Sequence, residues 1–296
     1  MKPSPEILRI WAVSDGRAGI ENQALGLAEA VGRLTPAEIT VKRLAYRQPF
    51  ARLPNPLRIA PRAMLAPTSD RIAPPWPDLW IATGRASLPF SRRVRGWSCG
   101  ETFVVQTQDP RGGLTDFDLV VAPEHDDLSG PNVLTITGAP HRITPQRLAE
   151  AWPDFASRIG SLPQPRVSVL IGGKSKAFDL PKGHAEALAD RIAEAVTAAD
   201  GSALVTFSRR TPPDARHAMT ARLSSLPGWV WDGEGPNPLF AFLYAADHIL
   251  VTEDSANMAT EAASTGKPVQ VLGLPGGGRK FDRLHGRLRR MGRAGG

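Results

Sequence analysis

The second half of the chain alternates short apolar runs with longer amphipathic stretches. The short runs suit buried parallel strands, and the longer stretches have the spacing of helices that pack on such a sheet. The predicted strands cover 167–171, 203–207, 229–231, 248–252 and 269–272. The predicted helices cover 184–199, 213–226, 239–246 and 255–265. This alternation predicts a doubly wound parallel sheet, which is the architecture of a Rossmann-like lobe.

The first half has a similar but less regular pattern. Residues 47–77 are too rich in proline and arginine for long regular elements. The predicted strands of this half cover 7–13, 39–44, 79–83, 102–107, 118–123 and 132–137, and its predicted helices cover 21–34 and 145–159. The segment GSLPQPR (160–166) is the best linker candidate. We therefore predict an α/β protein of two Rossmann-like lobes, residues 1–160 and 161–275, followed by a basic helix over 276–296.

Composition narrows the classes of function. A chain of 296 residues with 42% hydrophobic residues can fill two cores. Cys99 is the only cysteine, which excludes internal disulfides and multi-cysteine metal sites and suits a reducing compartment. The N-terminus lacks the pattern of a secretory signal, and no apolar run approaches the ~18 residues of a spanning helix. We expect a cytoplasmic protein that is at most peripheral at the inner face of the inner membrane.

The net charge of +7 comes mainly from arginine clusters at 92–95 and 279–293. Such clusters attract phosphate groups on nucleotides or anionic lipids, or they form a solvated surface. No nucleic-acid-binding motif accompanies them, so a nucleic-acid partner is not expected. Apolar residues also recur at helical spacing in the second cluster, so this tail either packs on the protein or lies on a membrane surface. These apolar residues are Phe281, Leu284, Leu288 and Met291.

Ligands of open parallel sheets bind at the carboxyl ends of the strands, and three turns there are unusually polar in the second lobe. In the first turn, Gly172 and Gly173 allow the backbone to approach a ligand, while Lys174 and Ser175 offer a cation and hydrogen-bond donors. The order of residues differs from that of a P-loop.

The second turn is TFSRRTP (206–212). Its hydroxyls and guanidinium groups suit a diphosphate. They belong to Ser208, Arg209, Arg210 and Thr211. Thr211 is also expected to cap a helix that starts at Pro212, and the start of a capped helix is itself an anion site.

The third turn opens the segment DSANMATEAASTGKPV (254–269). Asp254 or Ser255 is the predicted helix N-cap, and Asn257 and Glu261 lie four residues apart on one helical face with Met258 beside them. The Glu261 carboxylate can accept both hydroxyls of a ribose while the helix start faces phosphate. The predicted nucleotide-sugar-binding residues of this segment are therefore Asp254, Ser255, Asn257, Met258 and Glu261. The alternative is a surface glutamate on an amphipathic helix.

The third segment resembles the sugar-nucleotide-binding segment of GT-B glycosyltransferases, such as the lipid-linked N-acetylglucosaminyltransferase of peptidoglycan synthesis. The resemblance implies that the two parallel sheets face a central cleft and that Glu261 holds the ribose. It places the glycine-rich turn near the donor and implies no metal and no cofactor, only a nucleotide-diphospho-sugar as donor substrate. In this fold the last helix crosses back to the first lobe.

Over a longer stretch the chain resembles the elongated-mitochondria family, which comprises a plant mitochondrial fission factor and its bacterial relatives. The matching segments are SDGRAGIENQ (14–23), QDPR (108–111), GGKSKAF (172–178), TFSRRTP, TEDSANMATEAASTGKPV (252–269) and KFDRLH (280–285). The family's plant member is known for organelle division rather than for a reaction.

The acceptor-side base of GT-B transferases commonly comes from the first lobe. The resemblance therefore makes Asp15 the candidate base and Arg17 its catalytic neighbour, with a turn or N-cap role as the alternative for Asp15. Further candidates for the acceptor cleft are Glu21, Asn22, Gln23, Gln108 and Asp109. Secondary candidates are Glu124, His125 and His141.

These expectations combine into a metal-independent glycosyltransferase that transfers a sugar to an envelope or lipid-linked acceptor. Helix dipoles with Lys174, Arg209 and Arg210 would stabilise the leaving diphosphate. One alternative is a non-catalytic scaffold of the same fold that binds membranes or partners. A second alternative is a sugar-nucleotide epimerase. Because the chain ends in RAGG, part of the closing element is expected to be missing.

Overall fold

Each half of the chain builds one parallel β-sheet. The computed structural model describes residues 7–290, which separate into two units at the boundary between Arg142 and Ile143. The strands of the first unit are β1 Leu8–Ser14, β2 Ala37–Arg43, β3 Leu79–Thr83, β4 Phe103–Thr107, β5 Leu119–Pro123 and β6 Val133–Ile136. They lie in the order β2-β1-β3-β4-β5-β6, and every neighbouring pair is parallel.

The strands β1, β3, β4 and β5 of the first sheet are apolar at successive positions, so side chains on both faces of the sheet are buried there. Two helices flank it, α1 Ala18–Gly32 and α2 Leu88–Trp97. In β1, Ile10 packs in one core with Ala28 of α1, and the next residue, Trp11, packs in a second core with Phe90 of α2. Helix α2 was not predicted. It has no side-chain N-cap hydrogen bond, and burial of Phe90 and Val94 stabilises it instead.

Helix α1 approaches the segment that precedes the unit boundary very closely. A Cβ atom added to Gly26 would lie 2.4 Å from the backbone carbonyl of His141, so only glycine fits at this crossing. An ion pair also joins this segment to α1, since the guanidinium of Arg142 lies 2.6 Å from the Glu29 carboxylate. Between β2 and β3 the chain makes short 3-10 turns, in agreement with the predicted lack of long elements there. These turns are Phe50–Arg52, Asn55–Leu57 and Pro61–Met64.

The second unit has the strand-helix alternation that the sequence predicts. Its strands are β7 Arg166–Ile171, β8 Ser202–Phe207, β9 Gly228–Val230, β10 His248–Thr252 and β11 Val269–Leu272. Its helices are α3 Pro145–Ala151, α4 Ala156–Ile159, α5 Lys182–Ala198, α6 Pro213–Leu223, α7 Leu239–Ala245, α8 Ala256–Ala263 and α9 Arg279–Arg290. The parallel sheet has the order β11-β10-β7-β8-β9, so β7 lies at its centre.

The boundary between the units lies earlier than the linker predicted at 160–166. Residues 143–159 belong to the second unit because their apolar side chains pack in its cores. Leu148 of α3 contacts the cluster that contains Leu243, and Ile159 of α4 contacts the cluster that contains Phe242. The single helix predicted over 145–159 is two helices, since the chain turns between Ala151 and Ala156.

Helix α9 packs within the second unit. Leu284 and Leu288 are buried against Ala259 and Ala263 of α8. The ring Nε2 of His285 lies 3.0 Å from the backbone carbonyl of Glu253 at the end of β10. Of the predicted apolar face, Met291 and the side chain of Phe281 lie outside the described residues. Leu284 and Leu288 of the predicted apolar face therefore serve packing on α8.

Candidate functional site

The order of the second sheet creates a point where the chain direction across the sheet reverses. From β7 the chain continues to β8 on one side, whereas β10 pairs with β7 on the other side. In open α/β sheets, ligands bind beyond the carboxyl ends of the strands at such a point. The three polar turns predicted from the sequence follow these three neighbouring strands.

The glycine turn after β7 is fixed by the turns on either side. The amide of Gly172 donates to Oγ1 of Thr252 at 2.7 Å, and the amide of Gly173 donates to Oδ2 of Asp254 at 3.1 Å. A Cβ atom on Gly172 would lie 1.9 Å from Oδ1 of Asp254, and one on Gly173 would lie 2.4 Å from the carbonyl of Arg210. Glycine is therefore required by the protein's own close packing, in addition to any role toward a ligand.

Asp254 joins the three turns. Its carboxylate accepts hydrogen bonds from the Gly173 amide, from Oγ1 of Thr252 at 2.7 Å and from Nη2 of Arg210 at 2.7 Å. Its side chain is fully buried. The sequence placed Asp254 among the residues that contact the ligand or cap the helix, but the structure uses this carboxylate to hold the turns together. Thr252, which was not among the predicted site residues, completes this cluster.

The turn after β8 corrects a second expectation. Thr211 does not cap α6, whose N-cap is Pro212 without a side-chain hydrogen bond. The buried Thr211 hydroxyl instead donates to the carbonyl oxygens of Ile171 and Gly172 at the end of β7. Ser208 also serves the turn, because its Oγ accepts the amide of Arg210 at 3.0 Å.

Two cations at this edge remain available to a ligand. Lys174 and Arg209 are exposed, and neither forms an ion pair with any residue of 7–290. The amide of Lys174 is bound to the carbonyl of Arg210 at 3.0 Å, which fixes its backbone. Ser175 folds the following loop, since its Oγ accepts the amides of Ala177 and Phe178 at 3.2 and 3.1 Å.

Helix α8 begins directly at this edge. Ser255 is its N-cap and accepts the amide of Met258 at 3.5 Å, as one of the two predicted caps. Asn257 and Met258 are half-buried. Glu261 is only 6% exposed, so the interpretation as a surface glutamate is wrong.

The Gly-Lys-Pro sequence after α8, residues 266–268, has a structural use. Lys267 reaches the end of α7, where its Nζ donates to the carbonyl of Ala246 at 2.6 Å and to that of Tyr244. Burial lowers the pKa of Lys267, and Asp247 partly offsets this effect. The Gly-Lys-Pro sequence thus holds α7 against the return into β11.

In the first unit, the turn after β1 contains an internal ion pair. Arg17 lies 2.7 Å from a carboxylate oxygen of Asp15, and its amide also donates to Asp15 at 3.1 Å. Asp15 is therefore a turn residue and not the N-cap of α1, which is Arg17. Glu21 binds Arg43 at 2.6 and 2.9 Å, and this hydrogen-bonded pair raises the pKa of Arg43. Arg43 was not predicted as the partner of Glu21.

The remaining first-unit candidates separate into a connected pair and individual residues. Nε2 of Gln108 donates to Oε1 of the buried Gln23 at 3.0 Å, and Gln108 has a left-handed φ of 68°. Asp109 accepts the amide of Arg111 at 2.7 Å within its turn. Asn22 is half-buried and Glu124 is exposed. His125 is nearly buried, with Nε2 at 3.8 Å from the Asp126 carboxylate.

Two further features bear on function. Within residues 7–290, no group of three His, Cys, Asp or Glu side chains converges in a way that could hold a metal ion, and metal independence stays a prediction. None of the described helices is both long enough and apolar enough to cross a bilayer.

Comparisons with known proteins establish the family. The profile described as mitochondrial fission ELM1 matches residues 18–295. The chain belongs to this family. It is 31% identical to the mitochondrial fission protein ELM1 of Arabidopsis thaliana over 221 residues, which are 67% of this chain and 52% of that protein. The chain thus spans about half the length of this ELM1 relative, and the family resemblance predicted from the sequence is confirmed.

Solved structures establish the fold of this ELM1-family chain. A UDP-GlcNAc 2-epimerase from Neisseria meningitidis, bound to UDP-GlcNAc, is 14% identical with a TM-score of 0.52 and covers 90% of this chain and 82% of its own. The glycotransferase of kitacinnamycin is 14% identical with a TM-score of 0.51. The match covers 98% of this chain and 86% of the glycotransferase chain. At such low identity the likeness concerns the fold alone. The predicted GT-B-like fold of two Rossmann-like α/β domains is confirmed.

Proposed function

We propose that this protein is a metal-independent glycosyltransferase that binds a nucleotide-diphospho-sugar at the carboxyl edge of β7, β8 and β10. The observation that carries the proposal is the buried Glu261 in a helix that starts at this edge. A carboxylate in this position can accept the two hydroxyls of a ribose. Its segment also resembles the donor-binding segment of GT-B transferases.

The cations at the same edge suit the diphosphate. Lys174 and Arg209 are exposed and have no ion pair within residues 7–290, so a diphosphate can bind them without displacing a protein carboxylate. Arg210 keeps about 40% of its side chain exposed although it is paired with Asp254. The amino end of α8 adds a favourable dipole.

The first unit would take the acceptor, an envelope or lipid-linked hydroxyl compound. The acceptor oxygen attacks the anomeric carbon, its proton passes to the Asp15 carboxylate, and the bond from the anomeric carbon to the diphosphate oxygen breaks. The nucleoside diphosphate leaves with the electron pair and is stabilised by the cations of the second unit. Arg17 would orient Asp15 through the ion pair between them. Glu21, Asn22, Gln23, Gln108 and Asp109 remain proposed acceptor-side residues.

A thermal-shift panel of UDP- and GDP-sugars tests the donor site. UDP-GlcNAc leads the panel because the Neisseria enzyme of the same fold is bound to it. At one hundred times its Kd, a bound ligand stabilises the fold by about 2.7 kcal/mol. Glu261→Gln, which keeps the size of the side chain, should remove the shift, whereas Glu194→Gln on the exposed face of α5 should retain it. A panel without any shift would refute donor binding.

A second test separates donor binding from transfer. Asp15→Asn should keep the thermal shift by the donor and lose transfer to an acceptor. Products formed from the donor alone are analysed in parallel, since a changed sugar configuration without an acceptor would identify an epimerase instead.

Membership of the ELM1 family favours one other candidate, a non-catalytic scaffold that binds membranes or partners. The two candidates differ in the donor experiment. A scaffold would show no thermal shift with any sugar nucleotide. Glu261→Gln and the unchanged chain would then give the same melting temperatures with and without the ligands.

A further inference from the structure

A loop in the first unit has an unusual surface. Residues 44–69 contain four arginines and no acidic residue. Between positions 51 and 63 every exposed residue is apolar or arginine. These residues are Ala51, Arg52, Pro54, Pro56, Leu57, Ile59, Ala60, Arg62 and Ala63. Leu57 is 57% exposed and Ile59 is 73% exposed, so two large aliphatic side chains lie in water among cations.

This arginine-aliphatic loop, residues 46–65, is closed at its base. Tyr46 and Leu65 form an antiparallel bridge, and the amide of Arg47 donates to the carbonyl of Met64 at 3.1 Å. The hydroxyl of Tyr46 donates to the carbonyl of Ala86 at 2.8 Å, which ties the base to the segment before α2. The loop therefore has a defined conformation.

Arg58 holds the tip of the loop from the inside. It is buried, and its guanidinium donates to the carbonyl of Ala51 at 3.0 Å and to Oδ1 of Asn55 at 3.2 Å. The same guanidinium lies 4.1 Å from the centroid of the Tyr46 ring. Because Arg58 points inward, its neighbours Leu57 and Ile59 are exposed. Their exposure is thus a consequence of the folded loop.

We propose that this loop binds the surface of an anionic lipid bilayer. Leu57 and Ile59 would enter the boundary between headgroups and acyl chains, and Arg52 would contact lipid phosphates. The combination of aliphatic side chains, arginines and no acid is complementary to this boundary, whereas a nucleic acid would leave the aliphatic groups unpartnered. The surface lies in the first unit and does not depend on the donor site of the second. It would also bring the protein to a lipid-linked acceptor.

Co-sedimentation with phosphatidylcholine vesicles, with and without phosphatidylglycerol, tests the proposal on the full chain. We expect binding only to the anionic vesicles. The double variant Leu57→Ser/Ile59→Ser should weaken binding about ten-fold or more, and Arg52→Gln should weaken it about five-fold. Arg33 and Leu34, which are adjacent in sequence and lie outside the loop, provide the matched control. Both are exposed, and Leu34 is 89% exposed. Arg33→Gln and Leu34→Ser should bind as the unchanged chain does.

Three outcomes would overturn the proposal. The first is equal vesicle binding by the double variant and by Leu34→Ser. The second is binding that is lost only when Arg289 and Arg290 of α9 are replaced. The third is a dimer detected by light scattering that the double variant abolishes while the unchanged chain binds no vesicles. Thermal unfolding and the donor-induced shift should be the same in the double variant, so failure of this proposal is distinguishable from failure of the donor site.

Discussion

The guanidinium of Arg210 lies 2.7 Å from a carboxylate oxygen of Asp254, a side chain that solvent does not reach. This contact joins the turn after β8 to the turn after β10. The same carboxylate accepts the amide of Gly173 after β7, so one side chain connects the carboxyl ends of the three central strands. The geometry of the candidate donor site therefore depends on a fully buried carboxylate.

Asp254→Asn should destabilise the second unit. An amide has one acceptor oxygen, so at least one buried donor, either the Gly173 amide or the Thr252 hydroxyl, loses its partner. We expect the free energy of unfolding to fall by about 2–4 kcal/mol, measured by urea denaturation. The donor-induced thermal shift should weaken as well, because the glycine turn is no longer fixed.

Arg210→Gln is the matched variant for this prediction. Arg210 is about 40% exposed, so its loss should cost less, roughly 1–2 kcal/mol, and Asp254 keeps two of its donors. An equal or greater loss in Arg210→Gln would contradict the central role given to Asp254.

Gly172→Ala should lower both stability and donor binding. The added Cβ would lie 1.9 Å from Oδ1 of Asp254, which its own hydrogen bonds hold in place. Overpacking of this kind costs about 1–3 kcal/mol. Gly183→Ala in α5 is the control, because its Cβ meets no atom within 4 Å and alanine favours the helix. Parallel urea titrations should show opposite signs for the two variants.

The fold could be predicted largely from the periodicity of apolar residues. Strands such as β7 and β10 are rich in apolar residues, and the structure forms them where the sequence places them. Helix α2 could not be predicted in this way, because Pro89, Gly96 and the lack of a cap disguise it and tertiary burial of Phe90 and Val94 stabilises it. The unit boundary was also missed, since composition near 160–166 does not reveal which core the preceding helices contact.

The candidate site was predictable in position but not in the roles of its residues. The polar turns after β7, β8 and β10 follow from strand order and residue type. Asp254 and Thr211 differ from their predicted roles because each binds a turn about 40 or 80 residues away in sequence, and single-sequence patterns do not encode such pairings. The burial of Glu261 could not be predicted either, because helical spacing alone does not determine whether a glutamate is exposed or buried.

Tyr46 should make stability fall at alkaline pH. Burial raises the pKa of Tyr46 to about 12 from its ordinary value of 10.0. The stabilisation by the neutral phenol is complete below pH 10, since both states are then protonated, and it is lost as the pH rises from 10 through 12. In Tyr46→Phe, the free energy of unfolding should fall less steeply with pH over this range. Urea titrations of both proteins between these pH values isolate the tyrosine from lysines, which titrate equally in each. If the free energy of unfolding fell equally steeply with pH in both proteins, the burial of the Tyr46 phenol would be contradicted.

Gly26→Ala should destabilise the first unit although alanine is the better helix former. The new Cβ would lie 2.4 Å from the backbone carbonyl of His141, and backbone atoms cannot move aside as a side-chain end can. We expect a loss of about 1–3 kcal/mol in the free energy of unfolding. The ion pair between Arg142 and Glu29 should weaken too, since it lies at the same crossing.

Gly96→Ala in α2 is the control for Gly26→Ala, because its Cβ position has no neighbour within 4 Å. There alanine should stabilise by about 0.5–1 kcal/mol through the reduced entropy of the unfolded chain. Denaturant titrations of the two variants show whether the steric clash at Gly26 outweighs the higher helix propensity of alanine. If Gly26→Ala stabilised the protein as Gly96→Ala does, the close approach of His141 to α1 would be absent in solution.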